Sequence, residues 1–258
     1  MIQAGIFLRM WISFGLFLIL ATGTVYSQSS LADEEATILK IRHKPGAGEV
    51  TEGHIQGGTR TGPDGKTYGI DSRSLLKDGK PWMPVMGEFH YSRYPSHHWE
   101  EAIMAMKAGG IDIIATYVFW IFHEEVRGEY NWQGNMDLNR FLSLCKKHHM
   151  PVWLRIGPWA HGEAKNGGFP DWLYDVCEPR SLDPDYFDEV DRWYQAVADQ
   201  SREYIHASGG PVLGVQLDNE FGHVGGKGGE EYILKCKGLA RQHGLDVPYY
   251  SVCGWGGA

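Results

Sequence analysis

The chain has 258 residues, 43% of them hydrophobic and 22% charged, which is ordinary for a globular protein and excludes disorder over most of its length. Its formal net charge is −8, whereas nucleic-acid-binding proteins concentrate lysine and arginine to neutralise phosphates. We therefore expect no nucleic-acid partner and instead a neutral or small ligand. This length also suits one α/β barrel domain, which typically has about 250 residues.

The first 27 residues have the pattern of a secretory signal peptide. Arg9 precedes an apolar run at residues 10–21, and Ser27 offers a small residue at a plausible cleavage point. A membrane-spanning helix is the alternative, but the run is short for a bilayer and residues 28–35 turn polar. We therefore expect a secreted or periplasmic protein that has no membrane contact once the signal peptide is removed.

The spacing of the four cysteines supports neither a zinc site nor a redox motif, because no two of them form a CxxC pair. They are Cys145, Cys177, Cys236 and Cys253. Cys145 and Cys236 fall on apolar stripes of predicted helices, where a buried free thiol is the common outcome. The pairing of the cysteines stays open.

Residues 28–70 are rich in Gly, Thr, Lys and Glu, which predicts an N-terminal linker or extension that leads into a hairpin at residues 77–80. Beyond the hairpin, apolar runs of strand length alternate with helical stripes, as in a parallel sheet with crossover helices. The five predicted strands cover residues 84–89, 111–117, 152–156, 212–217 and 247–252. The helical stripes between them are Trp99, Ile103 and Met106; Leu138, Phe141, Leu142 and Cys145; Val190, Tyr194 and Val197; and Ile233, Cys236 and Ala240.

Five parallel strands fit either an open doubly wound sheet or part of a closed barrel, and the loops distinguish the two. The first βα turn, at residues 87–93, contains neither GxGxxG nor GxxxxGK(S/T), so nucleotide binding has no support. Most strand ends carry polar and aromatic residues instead, which is typical of a barrel with its active site at the C-terminal ends of the strands. We therefore predict an α/β fold of the (β/α)8 TIM-barrel type, with residues 71–258 in the barrel.

The fourth predicted strand leads directly into a candidate catalytic carboxylate, Glu220. Cleavage of a glycosidic bond with retention needs two carboxyl groups about 5–5.5 Å apart, one to protonate the departing oxygen and one to attack the anomeric carbon. Glu220 follows the apolar run at 212–217, and its neighbour Asn219 can hydrogen-bond a sugar hydroxyl. The alternative is that Asp218 and Glu220 are solvated loop charges, and a bare Asn-Glu pair does not decide between these readings.

The second and third strands also end in residues suited to a sugar site. Tyr117 closes the second strand and can reach a sugar hydroxyl, whereas Trp120 and His123 after it are better suited to packing. The loop after the third strand contains Glu163, whose carboxylate can accept hydrogen bonds from sugar hydroxyls. Alternatively, Glu163 forms a structural ion pair with Arg155.

Together these segments resemble glycoside hydrolase family 35, whose best-known activity is β-galactosidase, from about Asp78 to the last residue. The motifs that carry the resemblance are Phe89-His90-Tyr91-Ser92-Arg93, Met106-Lys107-Ala108-Gly109-Gly110, Thr116-Tyr117-Val118-Phe119-Trp120 with His123-Glu124, Arg155-Ile156-Gly157-Pro158, Gly167-Gly168-Phe169-Pro170-Asp171-Trp172-Leu173 and Gln216-Leu217-Asp218-Asn219-Glu220-Phe221-Gly222. Their order and spacing also agree with the family.

The resemblance implies a role for each matching residue. Glu220 is the acid/base, while Tyr117, Glu163 and Asn219 hold the galactosyl ring, and His161 and Gly162 stand where the family contacts the sugar. No cofactor is implied. We also predict no metal, because the histidines at 90, 97 and 98 lack the spacing of metal ligands.

The chain departs from the family at three places. The family often has Cys-Ala-Glu-Trp at 161–164, where this chain has His-Gly-Glu-Ala, and a proline at Glu125. Asp218 replaces a common glutamate. The change at 161–164 alters the wall of the pocket and leaves the preferred sugar and linkage open.

The family's nucleophile is a glutamate at the end of the seventh strand, and no residue up to Ala258 corresponds to it. The resemblance therefore implies a barrel truncated after about the fifth strand, and we expect this polypeptide alone to be unstable or inactive. The whole protein is expected to remove terminal β-D-galactose from a β-galactoside oligosaccharide or glycan. The alternatives are an exo-β-glycosidase for another sugar, such as a β-glucosaminidase, and a non-catalytic carbohydrate-binding barrel remnant. The oligomeric state stays open.

Overall fold

The computed structural model describes residues 58–221 and 228–252. The predicted signal peptide, most of the predicted extension and Cys253 lie outside these residues. Within them, no helix combines the length and the apolar character that a membrane crossing needs.

A small antiparallel sheet precedes the main one. Its strands are β1 (Tyr68–Ile70), β2 (Leu75–Lys77) and β3 (Lys80–Trp82), in that order. Asp78 and Gly79 form the two-residue turn between β2 and β3, with φ angles of 52° and 73°. Two successive positive φ angles are characteristic of a type I′ hairpin turn, and the predicted hairpin is confirmed. Its sheet also includes β1, which was predicted to belong to the N-terminal extension.

Among residues 58–221 and 228–252, the main sheet has five parallel strands in sequence order. They are β4 (Met86–Glu88), β5 (Ile113–Tyr117), β6 (Val152–Arg155), β7 (Val212–Gln216) and β8 (Tyr249–Tyr250). All five predicted strands are confirmed, although each is shorter than its apolar run. A parallel order in which each strand pairs with the next is the arrangement of successive βα units in a barrel wall.

Within the described residues, five α-helices follow or connect these strands. They are α1 (Trp99–Ala108), α2 (Trp120–His123), α3 (Leu138–Lys147), α4 (Pro184–Ser201) and α5 (Gly229–Gln242). The Asp137 side chain caps α3 by accepting a hydrogen bond from the Arg140 amide, and Asp183 caps α4 just before Pro184. The predicted helices are confirmed.

The helices cover one face of the main sheet, and the opposite face carries the site. On β6, Val152 and Leu154 are buried in the core that the helices share, whereas Trp153 and Arg155 are only half-buried. Trp153 lies across Gly214 on β7, where a Cβ atom would come within 2.4 Å of the indole. Glycine at 214 is therefore required for the close approach of the indole to β7.

The described cysteines are free thiols. Cys145 on α3 and Cys236 on α5 are fully buried in the core, as predicted, and Cys177 is half-buried. Burial raises the pKa of the Cys145 and Cys236 thiols, so both stay protonated and behave as small apolar side chains.

The stripe on α5 is confirmed at Cys236 and Ala240 and differs from the predicted one only at its first member. Tyr232, Cys236 and Ala240 are buried, whereas Ile233 is only partly so. The reason is that Tyr232 points inward and donates a hydrogen bond from its hydroxyl to Asp218, 2.8 Å away.

His123, at the end of α2, is a buried neutral histidine. Its Nδ1 lies 3.0 Å from the carbonyl oxygen of Asn131, so Nδ1 carries the proton, and Nε2 accepts a hydrogen bond from the Tyr91 hydroxyl at 2.7 Å. The ring stacks on Trp132, with centroids 4.2 Å apart. Burial lowers the pKa of His123 from 6.5 to about 4. The prediction that His123 serves packing is therefore confirmed.

Because His123 is buried in its neutral form, we predict that the free energy of unfolding decreases in acid. Because the pKa of His123 is lower in the folded state, protons bind the unfolded chain first, and stability falls as the pH drops from 6.5 towards 4. The group accounts for up to about 3 kcal/mol over this range. Urea unfolding at several pH values should show a shallower acid slope for His123→Gln than for the wild type. His97→Gln, at an exposed histidine, is the control; an equal slope in His123→Gln and the wild type would contradict this origin.

Candidate active site

The site lies at the C-terminal ends of β5, β6 and β7. Tyr117 pairs with Arg155, and Arg155 pairs with Gln216, in the register of the sheet. Residues in register on neighbouring parallel strands point to the same face, so these three side chains meet in one layer. The layer forms the floor of the candidate site.

Arg155 is the centre of this layer. Its Nε donates to Gln216 Oε1 at 2.9 Å, and its Nη2 donates to Asn219 Oδ1 at 3.0 Å and to the Tyr117 hydroxyl. The guanidinium carbon lies 3.7 Å from the centroid of the Tyr117 ring. Arg155 forms its ion pair with Glu88 at the end of β4. The alternative of a Glu163–Arg155 ion pair is therefore not what the structure shows.

Asn219 is held on both ends of its amide. Its Oδ1 accepts from Arg155 and, at 3.0 Å, from Gln216 Nε2. Its Nδ2 lies 2.9 Å from Nδ1 of His161. The structure thus brings together Tyr117, His161 and Asn219, three of the residues predicted to bind the sugar.

Asp218 is buried, unlike the solvated loop charge of the alternative reading. Its side chain has no exposed surface, and it accepts hydrogen bonds from Arg180 Nη2 at 2.6 Å and from the Tyr232 hydroxyl at 2.8 Å. Arg180 also donates to the backbone oxygen of Asn219 at 2.8 Å. Burial raises the pKa of Asp218, and Arg180 opposes this rise. Asp218 therefore anchors the turn that carries Asn219.

Glu220 is presented to solvent by a left-handed turn. The φ angles of Asp218 and Glu220 are 53° and 52°, a conformation that costs a non-glycine residue free energy and that the buried contacts of Asp218 maintain. The Glu220 side chain is 39% exposed, and its Oε2 lies 3.9 Å from His161 Nδ1. The carboxylate is therefore accessible to a ligand at the edge of the layer.

The loop after β6 approaches this layer through His161, Gly162 and Glu163, all three with φ angles near +50° (54°, 52° and 49°). A Cβ atom on Gly162 would lie 2.8 Å from the Phe119 ring and 3.4 Å from the Tyr117 ring. Gly162 is thus packed directly against the site.

Glu163 is exposed and directly follows Gly162, which packs against the Tyr117 and Phe119 rings. It has no contact to Asn219 or Glu220 among the hydrogen bonds and ion pairs of the described residues. Its role towards a sugar stays a prediction, as do those of the other candidate residues.

Four residues that organise the site were given no role from the sequence: Glu88, Arg180, Gln216 and Tyr232. Gln216 and Glu88 lie at strand ends, so their position was a usable signal. Arg180 comes from an irregular loop, and nothing in its local sequence indicates its partner. Within residues 58–221 and 228–252, no group of three or more His, Cys, Asp or Glu side chains is arranged to hold a metal ion.

Two solved structures share the fold of the chain. The exo-β-1,4-mannosidase Op5Man5 from Opitutaceae bacterium strain TAV5 is 18% identical with a TM-score of 0.55, over 71% of this chain and 34% of that one. The GH5_18 protein from Streptomyces cattleya is 14% identical with a TM-score of 0.51, over 66% of this chain and 44% of that one. These likenesses concern the fold alone, and they confirm the α/β barrel class over part of the barrel.

Sequence comparison identifies nearer relatives. The β-galactosidase of Bos taurus is 38% identical over 161 residues, which are 61% of this chain and 25% of the relative. The β-galactosidase of Homo sapiens is 39% identical over 151 residues, which are 58% of this chain and 22% of the relative. β-Galactosidase 8 of Oryza sativa subsp. japonica is 33% identical over 198 residues, which are 75% of this chain and 29% of the relative. The chain spans about a quarter of the length of these curated relatives.

The profile of the family described as glycosyl hydrolases family 35 matches residues 74–251, which include every strand of the main sheet and every candidate site residue. The chain therefore belongs to glycosyl hydrolases family 35.

Proposed function

We propose that this chain is part of an exported retaining β-galactosidase that removes terminal β-D-galactose, with Glu220 as the acid/base. The observation that carries the proposal is the accessible Glu220 carboxylate beside Asn219 and His161, at the end of β7 in a family 35 chain. The names of the relatives favour galactose over other sugars.

In this mechanism, Glu220 first acts as a general acid. It protonates the glycosidic oxygen while a second carboxylate attacks the anomeric carbon, and the leaving alcohol departs. Glu220 is then a carboxylate and removes a proton from the water that hydrolyses the glycosyl-enzyme. Its exposed position next to hydrogen-bond donors suits both steps, because the leaving alcohol and the water enter from solvent.

The second carboxylate is proposed to come from sequence beyond Ala258, because the relatives are about four times as long as the matched segment. The purified chain of 258 residues is therefore expected to show no turnover of an aryl β-galactoside, since an acid without a nucleophile does not form the glycosyl-enzyme. Steady turnover that Glu220→Gln abolishes would contradict this and place the nucleophile inside the chain.

The choice of sugar is tested separately, on the complete gene product. Aryl β-galactoside, β-glucoside, β-mannoside and N-acetyl-β-glucosaminide are offered at equal concentration, and the β-galactoside is expected to give the highest kcat/KM. A higher value for another sugar would keep the glycosidase and overturn the galactose assignment. Absence of turnover with all four, in a protein that still binds galactose, would support the non-catalytic alternative.

A further inference from the structure

The hydrogen bonds around Arg155 have only one consistent direction. Arginine has five N–H donors and no acceptor, so each atom that it contacts through hydrogen bonds is an acceptor. Gln216 therefore presents Oε1 to Arg155 Nε, which leaves its Nε2 as the donor to the backbone oxygen of Asp218 at 2.7 Å and to Asn219. The orientation of the Gln216 amide follows from the arginine.

The same argument sets the orientation of the Asn219 amide. The atom that faces Arg155 Nη2 and Gln216 Nε2 receives two donors and has to be Oδ1. The Nδ2 group then points at His161 Nδ1, which has to accept, so a neutral His161 carries its proton on Nε2. One Nδ2 proton is used by His161, and the second has no partner in the hydrogen bonds of the described residues.

The hydrogen bond of the Tyr117 hydroxyl with Arg155 also has a fixed direction. Its hydroxyl oxygen accepts from Arg155, so the hydroxyl proton is not used in that contact. Burial raises the pKa of Tyr117, which keeps the phenol protonated. Tyr117 and Asn219 can therefore both donate to a ligand.

We propose that Arg155 is a positioning residue that sets Tyr117 and Asn219 as hydrogen-bond donors, so that this side of the site recognises an oxygen of the sugar as an acceptor. The opposite requirement holds at Glu163, whose ionised carboxylate only accepts and thus recognises hydroxyl protons. The inference rests on the proposed function for the identity of the ligand, but the direction of the network does not depend on it.

The first test needs no ligand. Nitrogen-15 NMR of histidine-labelled protein, with His161 identified by its absence in His161→Gln, is expected to show an unprotonated Nδ1 and a protonated Nε2 at neutral pH. Arg155→Lys keeps the charge but removes the planar fork that contacts four side chains at once, so a mixture of tautomers is expected. Arg202→Lys, at an exposed arginine paired with Asp199, is the control and should leave the tautomer unchanged. A protonated Nδ1 in the wild type, or no change in Arg155→Lys, would overturn the proposal.

A second variant guards against poor folding of Arg155→Lys. Asn219→Asp replaces the amide donor by a carboxylate that Arg155 can still contact. The proton of His161 is then expected to move to Nδ1, where it can be donated to the new carboxylate. Retention of the proton on Nε2 alone would show that Asn219 does not set the tautomer, against the proposal.

The ligand test compares deoxy and fluoro analogues of galactose at each ring position. Fluorine accepts a hydrogen bond weakly and donates none. At the position that meets Tyr117 and Asn219, the deoxy sugar is expected to bind about three- to tenfold more weakly than the fluoro sugar, the effect of about one hydrogen bond. At a position that meets Glu163, the two analogues should bind equally weakly. The first difference should become smaller in Tyr117→Phe, which removes one of the two donors.

The NMR and ligand experiments distinguish failure of the proposed function from failure of the donor assignment. The expected tautomer without any binding of galactose would refute the proposed function and leave the network intact. Galactose binding with no position that favours fluorine over hydrogen would refute the donor assignment and leave the proposed function intact.

Discussion

Arg180→Met is expected to lower the free energy of unfolding by about 3–5 kcal/mol at neutral pH, because it leaves a buried carboxylate without its cation. Asp218 has no exposed side-chain surface and Arg180 is 11% exposed, so water cannot replace the lost charge. Methionine keeps an apolar side chain against the rings of Trp159 and Phe221 but removes the cation that lies over them, 4.6 Å and 5.2 Å from their centroids. Urea unfolding monitored by tryptophan fluorescence measures the loss.

The chain offers a matched control for this substitution. Lys165 and Asp171 also form an ion pair at 2.6 Å, but their side chains are 67% and 63% exposed. Lys165→Met is therefore expected to cost less than about 1 kcal/mol. The two substitutions remove a cation from the same distance to an aspartate and differ in burial.

The pH dependence identifies the cause. Burial raises the pKa of Asp218, and Arg180 opposes this rise. Loss of Arg180 in Arg180→Met therefore raises the pKa of Asp218 in the folded state further above the unfolded value of 3.8. A raised carboxyl pKa means that the folded state binds the proton more readily, so the penalty is present at neutral pH and shrinks as the pH falls towards 3.8. A penalty of the same size at pH 4 and pH 7 would show that lost packing, rather than charge, is responsible.

The sequence predicts the framework of this fold well because apolar periodicity reports burial directly. On α3, Leu138, Phe141, Leu142 and Cys145 are spaced to face one side, and all four are buried. The strands followed from apolar runs for the same reason, and their order followed from the alternation with helices. The stripe on α5 differed only at its first member, where Tyr232 is buried in place of Ile233 because its hydroxyl donates a hydrogen bond to Asp218.

The partners of charged residues in the site were much harder to predict. Glu163 and Arg155 lie close in sequence, yet Arg155 pairs with Glu88, which the parallel sheet brings alongside from β4. Arg180 reaches Asp218 across 38 residues through an irregular loop. Such pairings depend on tertiary packing, which sequence spacing does not encode. The left-handed conformations of Asp218 and Glu220 were not predicted, because a positive φ is uncommon for any non-glycine residue, including aspartate, which adopts it more often than most.

Glu220→Gln in the complete gene product is expected to lower kcat/KM by about 10²–10⁴-fold for a β-galactoside with a poor leaving group, because glutamine cannot donate the proton that an alkoxide needs to depart. A dinitrophenyl galactoside leaves as a stable anion and needs no proton. Its glycosylation step should therefore be slowed far less, and hydrolysis of the glycosyl-enzyme should become rate-limiting. Steady-state and burst kinetics with methyl and dinitrophenyl β-galactosides measure both effects.

Glu203→Gln, at an exposed glutamate after α4, is the control and should leave both substrates unaffected. The leaving-group dependence decides between roles for Glu220. If it acts as the acid/base, azide, which needs no deprotonation, should restore turnover of the dinitrophenyl substrate in Glu220→Gln and release a galactosyl azide. An equal loss with both substrates and no rescue by azide would instead assign Glu220 a role in attack or in positioning, and the acid/base would have to be sought elsewhere in the barrel.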